Sequence, residues 1–367
     1  MREYLLCLMV AAAVTYLATP VVRRLALRAG AFTEIRERDV HDQITPRWGG
    51  LGMYFGLVVA FALASQLPMM SAVYADLTQV FGLLGGVTVI VVIGLIDDRW
   101  GLDAPTKFAG QALAAGLLAW QGIGFIWLPL GNATVLDPLT STLLTLLVVL
   151  VCVNAVNFVD GLDGLAAGIV LVGAAASFVY SYLLSVEYGF ERATLSTLIS
   201  AILTGICLGF LPHNVNPARI FMGDTGAMML GLLLASCTVT LTGQVDPNAL
   251  GDTSRASTVL PILLPLAILA LPILDLFLAV IRRTLRGRSP LAPDREHLHH
   301  RLLDLGHSRR YAAALMQIGA AILAFSTVAL AFVPAVYVVA VCVLALGLLG
   351  YAVSQHPSQH PKETHVG

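Results

Sequence analysis

Several clusters of acidic and amide side chains lie where apolar stretches of the sequence end, and these residue types can bind a divalent cation. The first cluster is the adjacent pair Asp97 and Asp98, which is followed by Lys107 at the start of the next apolar stretch. Adjacent carboxylates raise each other's cost of ionisation, so they need a metal ion or a lysine nearby to stay charged in apolar surroundings. The alternative interpretation is an ordinary acidic loop end beside Arg99.

The second cluster has four short side chains at a strict spacing of three residues. They are Asn154, Asn157, Asp160 and Asp163. A spacing of three keeps helical neighbours on one side, and oxygen ligands of this kind suit Mg²⁺ or Mn²⁺. Gly161 and Gly164 let backbone amides approach a phosphate or a base. The alternative is a helix start capped by Asp163, although this many amides and carboxylates exceed what a cap requires.

The third cluster runs from Asn216 to Gly226 and enters another apolar stretch. Asp224 stands among glycines at the predicted helix start, a place that suits a metal ligand, and Phe221 offers an aromatic face for a base. A simple Gly-Asp turn in which Asp224 caps the helix is the alternative. Arg219 is equally typical of a basic residue that keeps its loop on the cytoplasmic side.

The fourth cluster, His297, His299, His300 and Arg301, lies in a long basic segment. Three close histidines suggest zinc, but no cysteine accompanies them, and zinc usually draws histidine pairs spaced i, i+4. Histidine and arginine donors are more typical of contact with a pyrophosphate or a sugar. A basic amphipathic helix on anionic lipid is the alternative.

The composition predicts a membrane protein. Hydrophobic residues make up 57% of the 367 residues and charged ones only 12%, which is far outside the range of soluble globular chains. Lys plus Arg total 21 against 22 for Asp plus Glu, so the net charge gives no indication of a nucleic-acid partner. The five cysteines fall in apolar stretches without metal-type spacing, and we interpret them as packing residues.

Apolar stretches of about 20 residues, the length that crosses about 30 Å of hydrocarbon, predict about eleven transmembrane helices. The stretches cover about 4–22, 49–67, 78–96, 105–121, 138–156, 164–184, 195–212, 225–243, 258–281, 312–332 and 335–353. Residues 122–137 indicate a short external excursion instead of a crossing. The expected fold is an all-α polytopic membrane protein, with a single transmembrane catalytic domain over 1–353 and a disordered cytoplasmic tail over 354–367.

Basic residues predict the orientation, because those in short loops stay on the cytoplasmic side. An outside N-terminus places the dense basic group at 282–310 and most other arginines in the cytoplasm, and leaves Arg2, Arg192 and Arg255 outside. The C-terminus is then cytoplasmic as well. All four clusters share the cytoplasmic face, where loops far apart in sequence can form one site.

Taken together and in this order, the four clusters resemble those of the polyprenyl-phosphate N-acetylhexosamine-1-phosphate transferases, the superfamily of bacterial WecA, TagO and MraY enzymes. The resemblance covers nearly the whole chain. The order His-Leu-His-His at 297–300 resembles the WecA and TagO branch. The resemblance implies transfer of GlcNAc-1-phosphate from UDP-GlcNAc to undecaprenyl or decaprenyl phosphate in the bacterial cytoplasmic membrane, with release of UMP, as the first membrane step of a cell-envelope polysaccharide.

The same resemblance implies roles for individual residues and an Mg²⁺ cofactor, with Mn²⁺ as a substitute. Asp163 and Asp224 would hold the metal on the diphosphate, Lys107 would neutralise phosphate charge, and either Asp97 or Asp98 would orient or deprotonate the lipid phosphate. The residues implied in substrate binding are Asn154, Asn157, Asp160, Arg219, Phe221, His297, His299, His300 and Arg301. Of these, Phe221 would face the uracil.

Other readings stay open at the level of sequence. The same chemistry with another UDP-N-acetylhexosamine, as in the MraY branch, is one, and a covalent aspartyl intermediate is another. A secondary transporter also has many spans with acids at membrane boundaries, but transporter sites usually lie near the midplane, and Asp275 is the main acid predicted there. A scaffold for envelope assembly is disfavoured by the density of carboxylates and histidines on one face. The resemblance leaves a homodimer open.

Overall fold

The structure, a computed structural model, describes residues 1–32, 45–128, 134–187, 194–244, 263–270, 284, 302 and 305–355. These residues are mostly helical. The helices are α1 (Arg2–Ala29), α2 (Gly49–Ala64), α3 (Leu77–Trp100), α4 (Ala104–Trp120), α5 (Pro138–Val159), α6 (Leu165–Glu187), α7 (Leu195–Asn214), α8 (Gly223–Gln244), α9 (Arg309–Ala329) and α10 (Ala335–Gln355), with a 3-10 helix at Pro68–Ala72. Residues 263–268 are helical too.

The helices confirm a polytopic, predominantly α-helical membrane protein. Eight of those within the described ranges are long and apolar enough to cross a membrane: α1, α3, α5, α6, α7, α8, α9 and α10. Helices α2 and α4 coincide with two further predicted crossings but have only 16 and 17 residues. Most of the ninth predicted crossing, 258–281, lies outside the described residues, so the number eleven stays a prediction.

The segment predicted to be an external excursion forms a short hairpin. Strands β1 (Trp127–Leu128) and β2 (Thr134–Val135) pair antiparallel, with Trp127 opposite Val135. Asp137 then caps α5 by accepting a hydrogen bond from the backbone N–H of Thr140 at 3.1 Å, which satisfies a donor that the first helical turn leaves unpaired. The chain therefore turns here without crossing, as the sequence predicts.

Helix α8 forms the centre of the bundle. It packs against α2, α3, α5, α6 and α7, and its whole apolar stretch is buried within the protein. Its start lies directly on the first turn of α2, where Gly50 donates its N–H to the carbonyl of Met222 at 2.9 Å. A Cβ on Gly50 would come within 2.2 Å of the backbone nitrogen of Gly226. Only glycine permits this approach, so the beginning of α8 is held by backbone contacts.

Candidate active site

Lys107, at the start of α4, lies between two carboxylates. Its Nζ is 2.9 Å from Oδ2 of Asp97 and 2.5 Å from Oδ2 of Asp224. The other oxygen of Asp97 accepts the backbone N–H of Leu102 at 2.6 Å, which fixes this carboxylate against the turn between α3 and α4. The side chains of Lys107 and Asp224 stay 18% and 30% exposed. One cation thus joins acids from α3 and α8 and remains accessible to a ligand.

Asp98 has a different role from its neighbour Asp97, because it holds the beginning of α8. Its Oδ1 accepts the backbone N–H of Asp224 at 2.8 Å, and its Oδ2 accepts the N–H and the hydroxyl of Thr225 at 3.1 and 2.6 Å. A carboxylate is favourable at a helix N-terminus, where backbone N–H groups lack partners within the helix. Asp98 therefore fixes the backbone that carries Asp224.

Gly223 makes this arrangement possible. Its φ is 69°, a left-handed conformation that side chains with a Cβ disfavour. A Cβ there would lie 2.3 Å from Oδ2 of Asp98 and 2.4 Å from the carbonyl oxygen of Arg47. The glycine before Asp224 is therefore required both by the backbone conformation and by the space that Asp98 occupies.

Asp163, after the end of α5, holds the loop that connects α7 to α8. Its Oδ2 accepts hydrogen bonds from Nδ2 of Asn216 at 2.8 Å and from the backbone N–H of Ala218 at 3.1 Å. The Asn216–Pro217 peptide within this loop is cis. The second and third sequence clusters are thus in direct contact, as their common cytoplasmic placement predicts.

These elements enclose a cavity of about 360 Å³. It is lined by Arg47, Asp98, Asn157, Asp160, Gly161, Leu162, Asp163, Asn214, Phe221, Gly223 and Asp224. Six of the eleven are predicted catalytic, metal-binding or substrate-binding residues, and four of these six are carboxylates. A cavity of this size and acidity, with an aromatic ring in its wall, suits a ligand that brings cations and a planar base.

Residues 80–242 match the family model for glycosyl transferase family 4. The chain is 45% identical to the decaprenyl-phosphate N-acetylglucosaminephosphotransferase of Mycolicibacterium smegmatis, over 90% of this chain and 83% of that protein. It is 32% identical to a probable undecaprenyl-phosphate N-acetylglucosaminyl 1-phosphate transferase of Bacillus subtilis, over 85% and 80% of the two chains. The chain belongs to glycosyl transferase family 4. The resemblance inferred from the four clusters is confirmed.

The family match extends from α3 to α8 and so includes most of the cavity lining. A more distant relative, the undecaprenyl-phosphate alpha-N-acetylglucosaminyl 1-phosphate transferase of Yersinia pestis, is 28% identical over 91% of this chain and 87% of its own length. Arg47 of the cavity lies outside the residues matched to the glycosyl transferase family 4 model, as does all of α9. The segment before α2 therefore contributes to the cavity from outside the matched residues.

Several acids meet in this cavity, and their mutual repulsion affects the ionisation of Asp160. Burial, together with the nearby carboxylates of Asp224, Asp98 and Asp163, raises the pKa of Asp160 to about 7, while Arg47 opposes the shift. The ionised form of Asp160 is therefore disfavoured in the metal-free fold. A divalent cation in the cavity would reverse this preference, because its charge exceeds that of any side chain present.

Asp160→Asn is expected to stabilise the metal-free protein at pH 8. The folded-state pKa is near 7, against about 3.9 for an unfolded aspartate. The protonated carboxyl therefore contributes to the free energy of unfolding fully below about pH 4, and this contribution is lost as the pH rises to about 7. The variant lacks this loss, so its melting temperature should exceed that of wild type at pH 8 and match it near pH 4. Thermal unfolding in detergent with EDTA measures this. Equal melting temperatures at pH 8 would show that ionisation of Asp160 does not destabilise the folded protein.

The cavity residues fit Mg²⁺ in the way that this ion usually binds. Among the described residues, no group of three or more His, Cys, Asp or Glu side chains is arranged to hold a metal ion alone. Mg²⁺ commonly uses one or two carboxylates and completes its octahedron with water and substrate phosphates. Asp163 and Asp224, which both line the cavity, carry hard oxygen atoms of this type, and the mutual repulsion of the acids would be relieved by a cation.

Two predicted substrate-binding residues lie away from the cavity lining. Asn154 donates Nδ2 to Oε1 of Gln111 at 2.8 Å, and Gln111 in turn contacts the sulfur of Met228. These contacts tie α5 to α4 and α8 and favour a positioning role for Asn154. The side chain of Arg219 is exposed, and its carbonyl accepts a hydrogen bond from Nε of Arg23 at 2.9 Å. His297, His299, His300 and Arg301 lie outside the described residues.

The structure adds two polar side chains to the cavity that the sequence analysis does not select, those of Arg47 and Asn214. The sequence predicts for Arg47 only a place on the cytoplasmic side, yet this residue lines the cavity together with the acids. The sequence signal near Arg47 is the pair Gly49-Gly50, which follows after Trp48, because adjacent glycines at a helix start indicate close backbone approach. Asn214 ends α7 in an ordinary polar sequence, so no comparable signal marked it.

Proposed function

We propose that this protein transfers GlcNAc-1-phosphate from UDP-GlcNAc to a polyprenyl phosphate, giving polyprenyl diphosphate-GlcNAc and UMP. The single observation that carries the proposal is Lys107 joined to Asp97 and Asp224 at the edge of an acidic cavity. This arrangement offers a cation to a phosphate and oxygens to a metal side by side. Relatives named for decaprenyl-phosphate and undecaprenyl-phosphate GlcNAc-1-phosphate transfer support the same reaction.

The donor fits the cavity in its nucleotide and diphosphate parts. Phe221 would stack on the uracil, and Asn157 and Asp160 would contact the nucleoside. Asp163 and Asp224 would hold Mg²⁺, or Mn²⁺ in its place. Bound there, the ion would withdraw charge from the diphosphate and from the leaving UMP. Arg47 faces the same space and would contribute a guanidinium to the phosphates.

The acceptor phosphate would meet Lys107. A lipid phosphate is already largely ionised near neutral pH, and phosphoryl transfer depends more on positioning and charge neutralisation than on a strong base. Asp97 contacts Lys107 and the N–H of Leu102, and Asp98 contacts the beginning of α8. These contacts favour positioning roles for both acids and a single displacement. Exchange of labelled UMP into UDP-GlcNAc without lipid would instead support a covalent aspartyl intermediate.

The same proposal includes the placement in the membrane. Eleven crossings with an outside N-terminus would put the cavity on the cytoplasmic face of the bacterial inner membrane, within reach of soluble UDP-GlcNAc. The loop with His297, His299, His300 and Arg301 would cover the sugar and the pyrophosphate. The carboxylates of the cavity lie at helix ends, which favours this interfacial reaction over a transporter with a site at the midplane.

The test is release of UMP by the full-length protein in detergent, with UDP-GlcNAc and either decaprenyl or undecaprenyl phosphate. Wild type is expected to turn over only with lipid and Mg²⁺ together, and Asp224→Asn is expected to lose about 10²- to 10³-fold, because a ligand and the partner of Lys107 are removed at once. Asp137→Asn is the matched control, since Asp137 caps the N-terminus of α5, whereas the cavity lies at the C-terminal end of that helix. Full activity in EDTA would reject the metal, and no release from UDP-GlcNAc would reject the donor.

A further inference from the structure

The peptide groups of Gly164 are held by side-chain amides from two different helices. Its N–H donates to Oδ1 of Asn214, at the end of α7, at 3.0 Å. Its carbonyl accepts from Nε2 of Gln317, in α9, at 2.9 Å. Gly164 follows Asp163 directly, so both contacts act on the turn that presents this carboxylate.

Asn214 also reaches the other acidic loop. Its Nδ2 donates to the carbonyl of Ile220 at 3.0 Å, and Ile220 lies shortly before Asp224. The side chain is 1% exposed, so each of these hydrogen bonds is shielded from water and is costly to lose. A single amide therefore connects the loop of Asp163 to the loop of Asp224 through both of its polar atoms.

Helix α9 also contacts these two loops. The amide of Gln317 packs so closely on α6 that a Cβ on Gly168 would lie 2.1 Å from Nε2. About two helical turns before Gln317, Nε of Arg310 donates to the carbonyl of Asn216, in the loop that Asp163 binds. Gln317 is thus fixed in place, and its helix contacts the Asp163 turn and the α7–α8 loop together.

We propose that Asn214 and Gln317 are positioning residues that set the separation of Asp163 and Asp224. Like charges in one cavity repel, and without the amides each loop can relax away from the other. A cation that needs both oxygens at fixed distances would then bind less tightly. The proposal rests on the function proposed above. It assigns no contact with substrate to Asn214, because both ends of its amide bind backbone groups.

The test is Mn²⁺ binding by the purified full-length protein in detergent, followed by electron paramagnetic resonance without any turnover. Asn214→Ala and the nearly isosteric Gln317→Met are expected to raise the dissociation constant of Mn²⁺ by about 10- to 100-fold, the usual effect of losing a group that orients a metal ligand. UMP release should then recover in part at high Mg²⁺. Thr204→Val in α7 and Thr327→Val in α9, which each lose a hydrogen bond within the helix, are expected to bind Mn²⁺ like wild type.

The outcomes separate the two proposals. If Gln317→Met and Asn214→Ala have lower melting temperatures than wild type but bind Mn²⁺ like wild type, the two amides only stabilise the fold and the positioning role is wrong. If Asn214→Ala does not fold, Gln317→Met decides alone. If wild type neither binds Mn²⁺ nor releases UMP, the proposed function is wrong, and the positioning role is lost with it.

Discussion

Replacement of Lys107 by methionine is expected to lower the rate of UMP release by about 10³-fold or more, the scale seen when a cation that stabilises a transferring phosphoryl group is removed. Methionine keeps much of the length of the side chain but leaves Asp97 and Asp224 without the charge that joins them. The acceptor phosphate would then approach two uncompensated carboxylates. Steady-state assays at saturating Mg²⁺ and both substrates measure the loss.

Arg28→Met is the matched control for Lys107→Met. Arg28 lies in the last turn of α1 and does not line the cavity, so its removal tests the effect of losing one cation from the protein as a whole. Lys107→Met should elute from size exclusion like wild type. Retention of more than about a tenth of the activity would show that Lys107 is not the acceptor's cation.

Gly50→Ala is expected to destabilise the protein by about 3 kcal/mol or more, because a new methyl group meets backbone atoms that cannot rotate away. The nearest atoms are the nitrogen and Cα of Gly226, at 2.2 and 2.4 Å from the added Cβ. Relief requires that α2 and the beginning of α8 separate, and this would move Asp224 as well. Loss of folded yield, a lower melting temperature in detergent and loss of UMP release should therefore occur together.

The control for Gly50→Ala is Gly116→Ala in α4. An added Cβ at Gly116 meets nothing within 4 Å, so this substitution should gain about 0.5–1 kcal/mol from helix propensity. The two variants make the same chemical change in two helices. Equal melting temperatures would mean that the close contact between α2 and α8 contributes nothing to stability.

The sequence predicts which clusters meet, but it does not predict how Asp97 and Asp98 divide their roles. Successive residues of a helix point about 100° apart, so two neighbours face different partners. Which of them faces α8 depends on the rotation of α3 in the bundle, and this is set by packing over its whole length. The sequence therefore points to both acids, and the assignment of each carboxylate depends on the tertiary structure.

The spacing of Asn154, Asn157, Asp160 and Asp163 was also informative only in part. Three residues of α-helix turn by about 300°, so Asn157 is rotated by about 60° from Asn154 around the axis of α5. Asn154 accordingly contacts Gln111 of α4, whereas Asn157 lines the cavity. Helix α5 ends at Val159, and the turn that follows brings Asp160 and Asp163 to the same space.

Arg47 illustrates what composition and hydropathy cannot predict. An arginine at a helix start near the cytoplasm satisfies the rule for basic residues wherever it points. Its place in the cavity follows from the close packing of α2 on the segment 221–226, where Gly49 and Gly50 donate to the carbonyls of Phe221 and Met222. That packing is a long-range feature of the fold.

The contact between Gln317 and Gly164 spans 153 residues of chain, and this has a consequence for biosynthesis. A ribosome that has delivered α3 to α8 into the bilayer has already released every carboxylate of the cavity, but not the helix that supports the Asp163 turn. The Asp163 turn of the nascent protein therefore lacks its hydrogen bond from Gln317 until α9 is inserted. We therefore expect the cavity to reach its final geometry only late in membrane insertion.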